Sequence, residues 1–247
     1  TAYTALAERG APERPPGPPA IAVAAEPGCT NLLDLGGGLV LDVVRVPGGR
    51  FNDAVVPPFW IGRCEINNAQ LRAFDPDHDS RDESRHGYQF GRRGYDLNGD
   101  RLPAVRVSRA QAEAFCAWLA RKTGRRVALP TEAQWEWACR AGTSTPFSFG
   151  ALDADYAPFA NFGDRRLKEF AACTAHQGYE SVRVLESPGP YDDWVPRDDR
   201  FDDGSFLPAE SGRYRPNAWG LYDLHGNVWE WVAGTASGPA VACGGSW

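Results

Sequence analysis

Asn217-Ala-Trp-Gly-Leu-Tyr-Asp-Leu-His-Gly-Asn-Val-Trp-Glu-Trp231 decides how this chain is read. Its glycines, two carboxylates and three tryptophans recur at offsets that neither the 3.6-residue period of a helix nor the two-residue period of a strand requires. The stretch therefore reads as an irregular loop organised by a ligand. Asp223, Glu230 and the carbonyls between them are hard oxygen donors of the kind Ca2+ prefers, an ion that takes ~6 to 8 oxygens in irregular geometry. Such an ion would also satisfy backbone groups that a loop of this kind buries without partners.

Upstream, Leu129-Pro-Thr-Glu-Ala-Gln-Trp-Glu-Trp-Ala138 predicts a helix. Thr131 and Gln134 form a capping box behind Pro130, and Trp135, Ala138 and Cys139 share one face until Gly142. A second helix is predicted over Ser108 to Lys122, with Ser108 and Gln111 as its box and Gly124 as its stop. Ala112, Phe115, Cys116 and Leu119 make its apolar stripe. The aromatics and thiols on these faces read as core, where a free Cys behaves as a small hydrophobe. Leu39 to Val46 reads as a strand turned by Pro47-Gly-Gly49, and Phe59 to Ile66 as a second strand. Residues 143–220 show no sustained period, and a loop-rich region of that length is usually functional or ligand-organised.

The 247 residues, 43% of them hydrophobic, suffice for one sizeable core plus a tail. Six prolines in 11–28 mark residues 1–28 as a leader or linker, leaving 29–247 as the domain. A net charge of −6 with no basic stripe argues against nucleic-acid binding. No apolar run approaches the roughly 20 residues needed to span a bilayer, and residues 1–28 lack the order of a signal peptide. There is no methionine, and the chain stops at Gly244-Gly-Ser-Trp247. It therefore reads as part of a longer chain, and the compartment, substrate and oligomeric state stay open.

The six cysteines form no C-x-x-C and no Cys/His cluster of zinc spacing. His78, His86, His176 and His225 are not spaced to share a metal, and His225 reads as a packing or hydrogen-bonding residue. Asp75, Asp77 and Asp79 mimic the start of an EF-hand loop, but Ser80 stands where that loop needs Gly, so they read as a solvated loop.

The quoted loop, the Leu129-Pro-Thr-Glu block some 90 residues before it and the closing Gly244-Gly-Ser-Trp247 together resemble the formylglycine-generating enzyme family, also called sulfatase-modifying factors. The resemblance covers residues 38 to 247 and includes Glu65-Ile-Asn-Asn68. It implies an α+β, C-type-lectin-like fold that is loop-rich, with two main helices and small antiparallel sheets. It also implies two structural Ca2+ sites, one formed by Asp223, the carbonyls of Gly226 and Val228, and Glu230. The other comprises Asn161, the Phe162 carbonyl, Asp203 and the Ser205 carbonyl, with Asp202 as an alternative to Asp203. Eukaryotic members bridge the cysteine matching Cys139 to one further downstream, which would lie beyond Trp247.

In the family a cysteine pair shortly after Gly-Gly-Ser binds Cu(I), and O2 then oxidises a substrate cysteine within Cys-X-Pro-X-Arg of a sulfatase to formylglycine. That pair is not in these 247 residues, and Cys243 lies on the wrong side of the motif. Ser246 and Trp229 match residues that line the active-site pocket. Relatives with Gly-Gly-Ser-Trp often keep the fold without the copper thiols, so two readings follow. One is a copper-dependent modifier of sulfatase-like protein or peptide substrates. The other is a non-catalytic, calcium-stabilised module for a protein or glycan ligand. A third, the partner domain of ergothioneine-forming sulfoxide synthases, would require an iron-binding, His-rich helical domain not seen in the sequence.

Overall fold

The computed structural model describes residues 5–7, 29–52, 54–80, 96–167, 173–175, 182–184, 197–205, 207–234 and 240–246. In chain order its elements are β1 (Ala5–Ala7), β2 (Thr30–Gly36), β3 (Leu39–Val46), β4 (Gly49–Phe51), β5 (Ala54–Val56) and β6 (Phe59–Gly62). These are followed by α1 (Asn68–Arg72), α2 (Arg109–Thr123), α3 (Glu132–Arg140), β7 (Cys173–Ala175), β8 (Val182–Val184), β9 (Glu230–Val232) and β10 (Val241–Cys243). The main sheet runs β1-β6-β3-β2 and is antiparallel throughout, while β4-β5, β7-β8 and β9-β10 form two-stranded sheets. The fold is loop-rich α+β with small antiparallel sheets. Ala5–Ala7 pair with β6, and the rest of the expected leader lies outside the described residues.

The period-two alternation of β3 and β6 divides the interior. Val44, Val46, Phe59 and Ile61 face Trp135, Ala138 and Cys139 of α3, together with Leu221, Leu224 and Val232. Leu41, Val43 and Trp60 face the other way, onto Leu33 and Leu35 of β2 and Phe115 and Leu119 of α2. Strands covered on both faces read as near-continuous apolar runs, as Leu39 to Val46 does apart from Asp42 and Arg45. Each fully buried Val, Ile or Phe contributes about 1.5–3 kcal/mol.

The helices begin where their caps predict. The Ser108 and Thr131 side chains accept from the Gln111 and Gln134 amides, and each Gln reaches back to the cap backbone. Gly124 ends α2 in the left-handed region at φ 67°, but α3 closes one residue earlier than Gly142, on Ala141 at φ 47°. The predicted second strand also stops short, at Gly62. The chain then turns through Arg63 to Ile66 into α1, whose capping box of Asn67 and Gln70 is a third instance of the same signal. No described helix is long and apolar enough to cross a membrane.

Candidate metal centre

The loop 223–230 has a buried carboxylate at each end, Asp223 and Glu230, and a third, Glu65, reaches the loop from a distant part of the chain. Glu230 opens β9 and is fully buried. Its Oε2 accepts the indole N–H of Trp135 at 2.6 Å, while its Oε1 has no hydrogen-bond partner. Asp223 sits in the left-handed region at φ 56°. Its Oδ2 accepts the Gly212 amide at 2.5 Å, and its Oδ1 is buried without a partner. Glu65, at the turn after β6, accepts from Asn227 Nδ2 at 2.9 Å through Oε1, and its Oε2 is likewise unpartnered. Burial, reinforced by the neighbouring acids, holds Glu65 and Glu230 well above the usual carboxylate range, and burial raises Asp223 as well.

Uncompensated buried charge costs several kcal/mol per ion, so the donor set fits a positive species at this place. Side chains alone do not complete a cage, because no described group of three or more His, Cys, Asp and Glu is arranged to hold a metal. Main-chain carbonyls have to supply the remainder, as the Gly226 and Val228 carbonyls would.

The loop's backbone is held by Asn227, also left-handed at φ 57°. Its Oδ1 accepts from Asn161 Nδ2 at 3.0 Å and from the Ala209 amide at 2.8 Å, and its own N–H donates to the Asn161 carbonyl at 2.8 Å. Gly226 lies against the same residue, where a Cβ would come to 2.1 Å from the Asn161 oxygen, and its φ of +75° disfavours any side chain. Only glycine allows this approach.

Asn161 thus joins the loop to the second expected site. Its Oδ1 is buried and unpartnered. Asp203 accepts the Phe162 amide at 2.9 Å and the Ser205 amide at 2.8 Å, and its own amide donates to Asp164 at 2.7 Å. Burial pushes its carboxyl up to about 6 against those hydrogen bonds. Asp202 points outward to Arg165 and Arg166, so Asp203 is the inward acid. Asn161, Phe162, Asp203 and Ser205 are therefore brought together, with one hard oxygen left open.

The remaining candidates divide clearly. Trp229 is 55% exposed, and the Gly226 amide donates to the Gly244 carbonyl at 2.8 Å, placing the Gly244-Gly-Ser246 turn against the loop. Trp247 lies outside the described residues, as do His86 and His176. His225 accepts the Ser148 amide at 3.1 Å and packs edge-on against Phe147 and Phe149. Burial lowers its pKa to about 4, so it is a neutral packing residue. Cys139 Sγ lies 3.5 Å from His225 Nε2, with its thiol pushed up by burial. Burial raises Cys243 to about 11. Asp77 and Asp79 are exposed, and Asp79 accepts from Asn98.

Two contributors escaped the sequence reading. Glu65 was visible only as part of a motif, since nothing local marks an acid after a strand as buried. Trp135 was read as core alone, but it is both core and the donor that orients Glu230.

A loop-rich α+β scaffold of this kind, with small antiparallel sheets and a buried polar loop under an exposed tryptophan, defines a C-type-lectin-like protein. Residues 40–247 match the sulfatase-modifying factor enzyme 1-like domain, and the chain belongs to that family. It is 26% identical to the bovine inactive C-alpha-formylglycine-generating enzyme 2, over 81% of this chain and 73% of that protein. With the formylglycine-generating enzyme of Thermomonospora curvata it shares 30% identity over 83% of this chain, spanning about half (52%) of that protein's length. Among solved structures, PvdO from Pseudomonas aeruginosa superposes with a TM-score of 0.54 at 25% identity, covering 91% of this chain and 82% of PvdO.

Proposed function

We propose that this chain is the calcium-stabilised scaffold of a formylglycine-generating oxidoreductase whose substrate is a cysteine within Cys-X-Pro-X-Arg of a sulfatase-like protein. One observation carries the reading. The loop that keeps Trp229 at the surface beside the Gly244-Gly-Ser246 turn has buried, unpartnered carboxylate oxygens beneath it. In this reading Ca2+ is held by Asp223, Glu230 and the Gly226 and Val228 carbonyls. A second ion is held by Asn161 and Asp203 with the Phe162 and Ser205 carbonyls. Calcium supplies structure and no redox chemistry. The left-handed Asp223 and Asn227 are tied down by hydrogen bonds and by the ion, and Trp229 and Ser246 are then presented as pocket residues.

The residues described do not fit a Cu(I) site. That soft ion takes thiolates, whereas the Cys139 and Cys243 thiols are raised by burial and no described Cys/His group is arranged for a metal. No redox step is therefore derived from them.

A second reading, a binding module of the same family for a protein or glycan, is favoured by that misfit and by the exposed Trp229 ring. An aromatic face of this kind suits a partner surface. The similarity to a relative described as inactive points the same way.

Incubating a Cys-X-Pro-X-Arg peptide with Cu(I), reductant and O2, and following its mass for exchange of thiol for aldehyde, separates the two. Residues 1–247 alone are expected to leave the peptide unchanged, and a longer product of the same gene bearing two further cysteines to convert it. Failure of that longer protein sinks the enzyme reading in favour of the binding module.

A further inference from the structure

Asn227 is in neither ligand set named above, yet both sets meet at it. Asn161 and Gly226 face each other in an isolated bridge, and two peptide planes run in series through that contact. The first joins Asn161 to Phe162. Its N–H donates to Asp203 Oδ2 at 2.9 Å, and its carbonyl accepts the Asn227 N–H at 2.8 Å. That N–H belongs to the second plane, which joins Gly226 to Asn227 and carries the Gly226 carbonyl expected as a ligand of the loop. A trans peptide directs its C=O and its N–H oppositely, and no described peptide bond is cis. Whatever fixes Asp203 therefore fixes the plane at Phe162, and through it the direction of the Gly226 carbonyl. The side chains repeat the link. Asn161 Nδ2 donates to Asn227 Oδ1 at 3.0 Å and to the Leu207 carbonyl at 2.9 Å, while Asn161 Oδ1 stays buried and unpartnered. Asn227 Nδ2 donates to Glu65 Oε1 at 2.9 Å, so neither amide can flip without losing buried hydrogen bonds.

We propose that Asn227 couples the two cation sites, so that an ion on Asn161 and Asp203 tightens the hold of the loop 223–230 on its own ion. The inference rests on the calcium reading of both sites. Neither site draws on more than two carboxylates, in keeping with the absence of any larger acidic cluster among the described residues. The physical basis is ordering. Backbone carbonyls serve as ligands only once their planes are fixed, and an ion at the Asp203 end fixes part of the loop in advance, leaving less freedom to be lost there. By linkage, the loop's ion tightens the other site by the same factor. Repulsion between two divalent ions acts in the opposite sense, so the sign of the coupling tells which effect prevails. Asn227 is a positioning residue in this scheme, acting through Gly226 and Asn161.

Calorimetric titration of residues 1–247 with Ca2+ is expected to show two ions taken up with positive cooperativity. Terbium(III), a hard trivalent stand-in, isolates the loop. Trp135 donates to Glu230 at 2.6 Å and is placed to sensitise an ion held there, and loss of the luminescence in Glu230→Gln assigns the signal to the loop. Displacement of terbium by Ca2+ then gives the loop's affinity. Asp203→Ala removes the acid of the other site and should weaken that affinity about 5-fold or more, although Asp203 is no ligand of the loop. Asn227→Gly keeps the left-handed φ and the backbone N–H but deletes the side-chain link, and in its presence Asp203→Ala should weaken the loop by a smaller factor. Glu113→Gln on the exposed face of α2 should change nothing. Independent or negatively cooperative uptake, or a loop affinity that ignores Asp203→Ala, would overturn the coupling. An equal loss with and without the Asn227 side chain would overturn its assignment to Asn227. If Asp203→Ala does not fold by circular dichroism, the isosteric Asp203→Asn is read by the same criteria. A wild-type protein that takes up no Ca2+ defeats the calcium reading itself, whereas uptake of a single ion removes the coupling alone.

Discussion

Around β2 and α2 the interior consists of Leu33, Leu35, Leu41, Val43, Trp60, Phe115 and Leu119, side chains that require nothing from their neighbours except shape. Beneath the loop 223–230 it contains Glu65, Asn161, Asp223, Asn227 and Glu230, every one of them buried and polar. Water is excluded from both regions, but only the first is stable for that reason alone. In the second, exclusion of water is a cost that hydrogen bonds offset in part and that open carboxylate oxygens leave incomplete. The contrast means that one region is held by apolar packing alone, whereas the other leaves buried carboxylate oxygens that the proposed cation would pair.

The largest effect expected from breaking this contrast comes from Trp135, which belongs to both regions. Trp135→Ala should destabilise by roughly 3–5 kcal/mol, as should Phe115→Ala. Only the tryptophan variant should also lose calcium-dependent stabilisation, since Trp135 orients Glu230. Denaturant melts with Ca2+ and with chelator distinguish them, and equal calcium responses in the two variants would dissolve the distinction. A Trp135→Ala protein that melts like wild type would show the helix face itself to be misassigned.

Calcium at about 100 times its Kd should stabilise the wild type by about 2.7 kcal/mol through binding the folded state alone. Glu230→Ala should cancel most of that gain. Identical melting temperatures in all four combinations of protein and calcium would remove the cation from the account.

Smaller still is the cap of α3, where Thr131→Ala should cost about 1 kcal/mol. Because Thr131 bonds the Gln134 amide and no acid of the site, this loss should be the same with and without calcium. A loss seen only in chelator would mean that α3 is positioned chiefly by the ion.

The smallest effect is a pH dependence outside the loop 223–230. His78 is buried, with Nε2 3.0 Å from Ser80 Oγ. Burial lowers its pKa below the ordinary 6.5. A histidine depressed in the folded state contributes stability above its unfolded pKa, and that stability is lost as pH falls below about 6.5. His78→Gln should flatten this decline in melts between pH 7.5 and 5. A wild-type curve without slope in that window would show that His78 titrates normally.

The two long helices were legible because their signals are local. Ser108 with Gln111 and Thr131 with Gln134 act within one turn, and the stripes that follow repeat at the helical period. The same box at Asn67 and Gln70 was passed over because α1 is five residues long, too short for a stripe to accompany it. β2 was missed because Leu32, which is exposed, stands next to the buried Leu33 and masks in the sequence the alternation that the structure shows. The loop 223–230 could be singled out from the sequence because both of its acids and the carbonyls between them fall within eight consecutive residues.

By itself, then, the sequence determined what near neighbours can encode: capped helices, the apolar strands β3 and β6, the family motifs and the acids of one loop. Tertiary structure decided which side chains become interior once distant segments meet. It turned Asp203 inward and Asp202 out to Arg165 and Arg166, tied Asn161 to Asn227 across 66 positions, and buried Glu65 beneath a loop far from it in the chain. The physical reason is that burial of a charge is a property of packing. A carboxylate carries the same letter on a solvated turn and in a closed interior, and only the fold sets whether it faces water, a hydrogen-bond donor or a cation.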